Sequence, residues 1–249
     1  MSLELIPAAR PIIGDDERAA VDRVMRSGMI AQGPEVATFE QEFSEHFVEG
    51  RHCVAVNSGT AGQHLGQLAA GIGPGDEVIV PSFTFAATAN SVALTGATPV
   101  FVDIEPHYFS IDPAAVEAAI TPRTKAIMPV HLYGHPAMMH ELVAIAQKHD
   151  LMIFEDAAQA HGAALGGRKV GTFGTFGMFS LYPTKNMTSG EGGMVACDYA
   201  ELVRATKLLR NQGMERQYEN EVIGFNARMT EIHAAIGRVQ LTKVDAWTA

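Results

Sequence analysis

The stretch FSLYPTKNMTSGEGGMVACD, residues 179–198, holds two apolar runs with a single lysine, Lys185, between them. The first run ends in Tyr182-Pro183-Thr184, a Ser/Thr/Gly turn follows, and the second run opens at Gly193. Short apolar runs bounded by turn residues read as buried strands. A lone lysine is ordinarily a solvated surface charge. This one sits at the mouth of two strands, beside glycines that let backbone approach closely. Partial desolvation there lowers an amine's pKa and fits it to form a Schiff base with a carbonyl.

Working outward, the same kind of run recurs as HCVAVN (52–57), DEVIVP (76–81), TPVFVDI (98–104), TKAIMPV (124–130) and LMIFED (151–156). With TFGMFSL (175–181) and GMVACD (193–198) there are seven candidate strands. Amphipathic stretches lie between most of them. Residues 60–70 put Ala61, Leu65, Leu68 and Ala69 on one helical face and stop at Gly71. Asp112-Pro113 opens another helix, with Asp as N-cap and Pro in the first turn. Residues 140–149 carry Leu142, Ile145 and Ala146, and residues 199–210 carry Leu202, Ala205, Leu208 and Leu209. Two helices precede the sheet. Asp15 and Asp16 cap the first, and Val36, Phe39, Phe43 and Phe47 form a core stripe on the second. Strands alternating with helices predict an α/β fold, a seven-stranded mainly parallel sheet with helices on both faces. The last pattern, residues 230–247, predicts one long helix with Ile232, Ile236, Val239 and Val244 on a stripe. Nothing follows it to cover its far end, so the ending reads as a cut.

The 249 residues, 47% hydrophobic and 18% charged, suit one large domain or two small ones. A net charge of -10 argues against nucleic acid or an anionic membrane as main partner. Cys53 and Cys197 fall in strand-like runs and read as reduced core thiols. The opening MSLELIPAARP lacks a leader core, and no run of 18 apolar residues occurs, so a cytoplasmic protein is expected.

Two further constellations accompany Lys185. In VAVNSGTAGQHLG (54–66) a strand ends at Asn57, Ser58-Gly59-Thr60 turns, and a helix begins. The free N–H groups and dipole of a helix start suit a phosphate, and plain helix capping explains this stretch equally well on its own. It is not a Walker loop, and Gly59, Gly62 and Gly66 lack the dinucleotide spacing. In LMIFEDAAQAHG (151–162), Glu155 and Asp156 close an apolar strand, at the end where open α/β sheets bind ligands. A carboxylate buried there needs a cation or donor, and a helix cap is the structural alternative. His131, His135 and His140 share no common face because a Gly-His-Pro turn intervenes, so no metal site is expected. A phosphate cradle, a strand-end carboxylate and a desolvated lysine are together what pyridoxal phosphate requires of a protein.

NSGTAG (57–62), GIGPGDEVIVPSFTFAATANSVALTGATPVFVDI (71–104), IFEDAAQAHG (153–162), YPTKN (182–186) and GEGGMV (190–195) closely resemble the DegT/DnrJ/StrS family in order and spacing. These are pyridoxal-phosphate aminotransferases of fold type I that act on keto groups of nucleotide-linked sugars. The resemblance runs from about residue 10 to the end. It implies that Lys185 is the Schiff-base lysine and that Asp156 pairs with the pyridinium nitrogen, the two catalytic positions. It places Gln159 near the phenolic oxygen, and Ser58, Gly59, Thr60, the Ala61 backbone and Ser180 at the phosphate. Phe85 would stack on the ring. Asn226, in GFNARM, would reach the phosphate of a neighbouring subunit's cofactor, which implies a homodimer. The implied partners are a nucleotide-linked keto sugar and an amino-acid donor, glutamate in the family. Relatives that dehydrate sugars carry histidine at the lysine position, so Lys185 favours amino transfer. The resemblance also implies that residues 1–249 form an N-terminal segment plus the large, cofactor-binding domain, without the family's smaller C-terminal domain. A protein that binds the cofactor without turnover, and a phosphate-binding module without the cofactor, are the alternatives.

Overall fold

The computed structural model describes residues 6, 7 and 9–248, so the leader reading of residues 1–5 and the terminal Ala249 lie outside the described residues. All seven predicted strands form. They are β1 (His52–Val56), β2 (Glu77–Pro81), β3 (Thr98–Val102), β4 (Thr124–Ile127), β5 (Met152–Asp156), β8 (Phe176–Ser180) and β9 (Gly193–Cys197). Two short hairpins stand apart from the sheet: β6 (Ala164–Leu165) with β7 (Arg168–Lys169), and β10 (Met214–Arg216) with β11 (Glu219–Asn220). The sheet order is β1-β9-β8-β5-β4-β2-β3. Only β9 runs against the rest, pairing antiparallel with β1 and β8. The fold is therefore α/β with a mainly parallel sheet.

The helices are α1 (Asp15–Ser27), α2 (Pro34–Phe47), α3 (Gly59–Ala69), α4 (Ala87–Leu94), α5 (Pro113–Ala118), α6 (Met139–His149), α7 (Ala200–Arg210), α8 (Glu231–Leu241) and α9 (Val244–Thr248). The aromatic stripe of α2 is buried as the spacing predicts, and packs on Phe179 and Met194. The opposite face, with Phe154, Phe176, Met178 and Val195, packs under α3 and α4. Side chains alternate along a strand. Phe154 points to the α3–α4 side and Ile153 to the α6 side, so Asp156 and Glu155 must diverge in the same way.

Three glycines seat α3 on this sheet. A Cβ on Gly66 would lie 2.8 Å from the Phe176 ring, one on Gly62 3.0 Å from Met178, and one on Gly59 3.0 Å from Ser180. The glycines that match no dinucleotide fingerprint thus let the helix approach the sheet and set its first turn beside Ser180.

Two helical expectations change. Residues 230–247 form two helices, because Thr242 and Lys243 donate to carbonyls three residues back and Lys243 Nζ turns to Asp16 and Glu17, each 3.0 Å away. The most deeply buried residues of α8 are Ala234, Ala235, Gln240 and Glu231, and Ala235 packs on α1 together with the partly buried Ile232 and Val239. Val244 is buried in the α2 core, so the chain itself covers the position expected to stand free. Helix α4 is an addition. Its buried residues are Thr88, Ser91 and Val92, a face too polar to show apolar periodicity.

Candidate active site

The carboxyl ends of the parallel strands converge on a cavity of about 500 Å³. Residues after β1 supply Ser58, Gly59 and Thr60, residues after β2 supply Thr84 and Phe85, β5 ends in Asp156, and residues after β8 supply Tyr182, Thr184 and Lys185. Because β9 is antiparallel, Glu191, two residues before it, reaches the same edge.

Lys185 is fixed from below. Its N–H bonds the Tyr182 carbonyl at 3.0 Å, Ser189 N–H bonds Leu181 O at 3.0 Å, and Thr188 Oγ1 bonds Leu181 O at 2.8 Å. The adjacent Asn186 donates through Nδ2 to His161 O at 3.1 Å. Its Oδ1 then faces His161 Nδ1 at 2.7 Å, which places the ring proton on Nδ1. Burial among Phe43, Phe47 and Phe179 drives the His161 pKa down to about 4, so this clamp is a neutral imidazole. Burial also lowers the Lys185 pKa from its usual value, against the opposing pull of the Asp156 charge.

Asp156 forms the floor. It is 5% exposed, and burial pushes its carboxyl up. Thr88 donates to Oδ2 at 2.8 Å and Ala158 N–H to Oδ1 at 3.2 Å, and both donors favour the ionised form. Glu155 turns to the other face. There it accepts Gly171 N–H and Gly174 N–H, each at 2.7 Å, and meets His131 Nε2 at 3.1 Å. His131 Nδ1 accepts the Ala137 N–H, so the Nε2 proton goes to Glu155. One strand end therefore carries one carboxylate for structure and one for the cavity.

Of the residues singled out in the sequence, Ser58, Gly59, Thr60, Phe85, Asp156, Gln159, Ser180 and Lys185 line this cavity. Phe85 stands at its mouth, 74% exposed. Gln159 is oriented by the Tyr133 N–H, which donates to its Oε1 at 2.7 Å. Ala61 N–H donates to Ser58 Oγ at 3.1 Å, so this donor is already partnered. Among the described residues no protein acceptor faces the N–H groups of Gly59 and Thr60. Asn226 is exposed and outside the cavity, bridged to Asn211. Its neighbour Ala227 accepts the Asn57 N–H at 2.9 Å, which keeps this segment at the same sheet edge. Sequence reading missed Gln63, Thr84 and Thr88. Gln63 lies one turn beyond Thr60 on α3, a spacing that could have flagged it, and its buried Oε1 has no partner. Thr84 and Thr88 flank Phe85 in SFTFAAT, where nothing but hydroxyl spacing marks them.

Residues 11–249 match the DegT/DnrJ/EryC1/StrS aminotransferase family. The chain belongs to this family. It is 47% identical to GDP-perosamine synthase of Caulobacter vibrioides over 246 residues, covering 98% of this chain and 66% of that protein. The crystal structure of S. venezuelae DesV superposes with a TM-score of 0.90 at 46% identity, over 93% of this chain and 62% of that one. NtdA from Bacillus subtilis, solved with its bound cofactor PMP, superposes with a TM-score of 0.88 at 35% identity, over 93% of this chain and 53% of that one. This family member thus spans between about half and two thirds of the length of these relatives. Among the described residues no helix is long and apolar enough to cross a membrane, and no cluster of His, Cys, Asp and Glu could hold a metal ion.

Proposed function

We propose that the cavity holds pyridoxal 5'-phosphate and that the protein of which this chain forms at least the large domain transfers an amino group from an amino acid to a keto group of a nucleotide-linked sugar. One observation carries the reading: Lys185 and Asp156, both partly or wholly desolvated, line a single cavity with the unpartnered N–H groups of α3. The residues fit the group. Gly59 and Thr60 N–H, with the Thr60 and Ser180 hydroxyls, suit a phosphate. Asp156 supplies the buried negative charge that keeps a pyridine nitrogen protonated. Phe85 offers an aromatic face at the mouth, and Gln159 offers its amide, already aimed by Tyr133. When bound, the cofactor supplies an aldehyde for the lysine and an electron-withdrawing ring for amino transfer. The desolvated Lys185 amine, neutral more readily than a surface lysine, carries a proton to and from the reacting carbon. The names of the relatives favour nucleotide-linked sugars as substrates, and glutamate is the amino donor we assign.

The same reading makes the protein a cytoplasmic homodimer in which Asn226 serves a neighbouring subunit's site. Its exposure, outside its own cavity yet at the same sheet edge, favours that role over a contact within one subunit. The decisive experiment is borohydride reduction with pyridoxal phosphate, read by intact mass. The wild-type chain should gain one adduct, and Lys185→Ala should fold and gain none. An adduct that persists on another lysine overturns the assignment.

A further inference from the structure

We propose that Thr88, on α4, is a positioning residue for this site: its hydroxyl, fed in turn by that of Thr84, holds Asp156 as an aimed carboxylate on the cavity floor. The proposal rests on the reading of the cavity as a pyridoxal-phosphate site.

The direction of each hydrogen bond follows from what the groups can do. Thr88 is fully buried, and its Oγ1 lies 2.8 Å from Asp156 Oδ2, across 68 residues of sequence. An ionised carboxylate only accepts, so the Thr88 proton points at Asp156. Thr84 Oγ1 lies 2.9 Å from Thr88 Oγ1. With the Thr88 proton committed, the Thr84 hydroxyl is the donor in that pair. Hydroxyls in series polarise one another, which strengthens the final bond to Asp156. The series starts at the cavity wall, which Thr84 lines, and ends at the cavity floor.

The main chain around Thr88 is locked as well. Its N–H bonds Phe85 O at 3.1 Å, and its carbonyl accepts Ser91 Oγ at 2.9 Å. Ser91 Oγ accepts Gln67 Nε2 from α3, also at 2.9 Å. A run of polar groups thus ties α3 and α4 to the end of β5, with Gln67, Ser91 and Thr88 all inaccessible to solvent. Packing alone asks for apolar residues on that face, because a buried polar group is costly unless paired. Polar residues there serve to deliver a donor to Asp156.

The other groups facing Asp156 are the Ala158 N–H, the Gln63 amide from α3, Lys185 and His131. Glu155 on the same strand faces away, and Glu191 lines the same cavity. Burial raises the Asp156 pKa, while the hydrogen bonds from Thr88, the Ala158 N–H and Gln63 lower it. Removing the Thr88 hydroxyl leaves burial less opposed, so protonation of Asp156 begins at higher pH. A protonated Asp156 no longer attracts a ring N–H⁺, so cofactor affinity falls as pH drops through that pKa.

Thr88→Val keeps shape and branching and removes the hydroxyl. The measurement is pyridoxal-phosphate affinity against pH, read by absorbance titration without any amino donor. The expected result is a loss of roughly tenfold to a hundredfold, the value of one hydrogen bond to a charged group. The acid limb should move to higher pH, and Thr88→Ser should return both to within about threefold of wild type. In an Asp156→Asn background no anion remains to be held, so Thr88→Val should add less than about twofold. Wild-type affinity and acid limb in Thr88→Val overturn the proposal, as does an equal loss in the Asp156→Asn background, which would mean packing only. If Thr88→Val does not fold, Thr84→Val decides: it leaves the interior of α4 intact, and an acid limb that stays in place overturns the proposal. A wild-type chain that forms no Lys185 adduct overturns the cofactor reading and this proposal together. An adduct with an unmoved Thr88→Val profile overturns the proposal alone.

Discussion

Helices α2 and α3 both start after a glycine- or serine-bearing turn, and both aim their first N–H groups inward, but they are satisfied differently. At α2 the buried Glu231 carboxylate, from the first turn of α8, accepts Gly33 N–H and Glu35 N–H at 2.8 Å and Val36 N–H at 2.9 Å. At α3 a single serine hydroxyl caps Ala61, and the N–H groups before it face the cavity. Helix α1 follows the first pattern, with Glu17 accepting Gly14 N–H at 2.8 Å. The positive end of a helix draws an anion wherever one is offered. Where the chain supplies the anion, the helix end is structure. Where it supplies only a neutral cap, beside a cavity holding Lys185, the end faces open space, as the proposed phosphate role requires.

Glu231 carries the largest expected effect. Glu231→Ala leaves three N–H groups without a partner, that of Val36 in the interior, and removes a buried carboxylate, so it should cost about 3–5 kcal/mol, read as a lower urea midpoint. The emptied α2 terminus should then behave like α3. Inorganic phosphate should restore part of the lost stability to the variant and none to the wild type at this position. A variant as stable as wild type would mean that the carboxylate is not what closes α2.

Acid should release α1 in the same sense. Burial raises the Glu17 pKa, but hydrogen bonds from Lys243, Gly14 and Gln240 outweigh it and bring it to about 2. A folded pKa below the unfolded value gives stability that is present above about pH 4.5 and is lost as pH falls through 2. The amount is about 3 kcal/mol. Glu17→Gln should flatten that part of the stability–pH curve, and an unchanged slope would remove Glu17 from the group of closing carboxylates.

Close seating of α3 is a condition for its open end, and Gly66→Ala tests it. The new Cβ would meet the Phe176 ring at 2.8 Å, so α3 must lift or the ring must turn. Overpacking of this kind costs about 1–3 kcal/mol. Because the first turn of α3 moves with the helix, cofactor affinity should drop together with thermal stability. Loss of stability alone would show that the first turn is held independently of the glycine stripe.

How far the sequence revealed these features follows from the same physics. Most of the strands were legible because both faces are buried, which makes their apolar runs nearly continuous, as in VIV of β2 and FGMFS of β8, while β3 at the sheet edge is largely exposed. Lys185, Asp156 and the turn at Ser58 were legible because each sits at a strand end, where burial and polarity change abruptly. Helix α4 was not legible, since Thr88 and Ser91 face inward, and with it went the support beneath Asp156. The divergence of Glu155 from Asp156 follows from strand alternation, but which of them faces the cavity depends on the sheet's partners. Glu231 and its 195-residue reach to Val36 are tertiary facts that no local pattern carries.

The smallest expected effect concerns the cap of α3 itself. Ser58 Oγ accepts the Ala61 N–H, and its own proton is free for the cavity. Ser58→Ala removes that cap and should cost about 1 kcal/mol of stability. It also exchanges one donor for another: the serine hydroxyl is lost, and the Ala61 N–H becomes free to point outward. If an open terminus is what binds the phosphate, these two changes nearly cancel, and pyridoxal-phosphate affinity should stay within about threefold of wild type. A tenfold loss would show that the hydroxyl itself holds the ligand. A tenfold gain would show that the cap competes with the ligand for Ala61. In that case α3 lies nearer to α2 than the present contrast allows, as a terminus closed by its own chain until something stronger arrives.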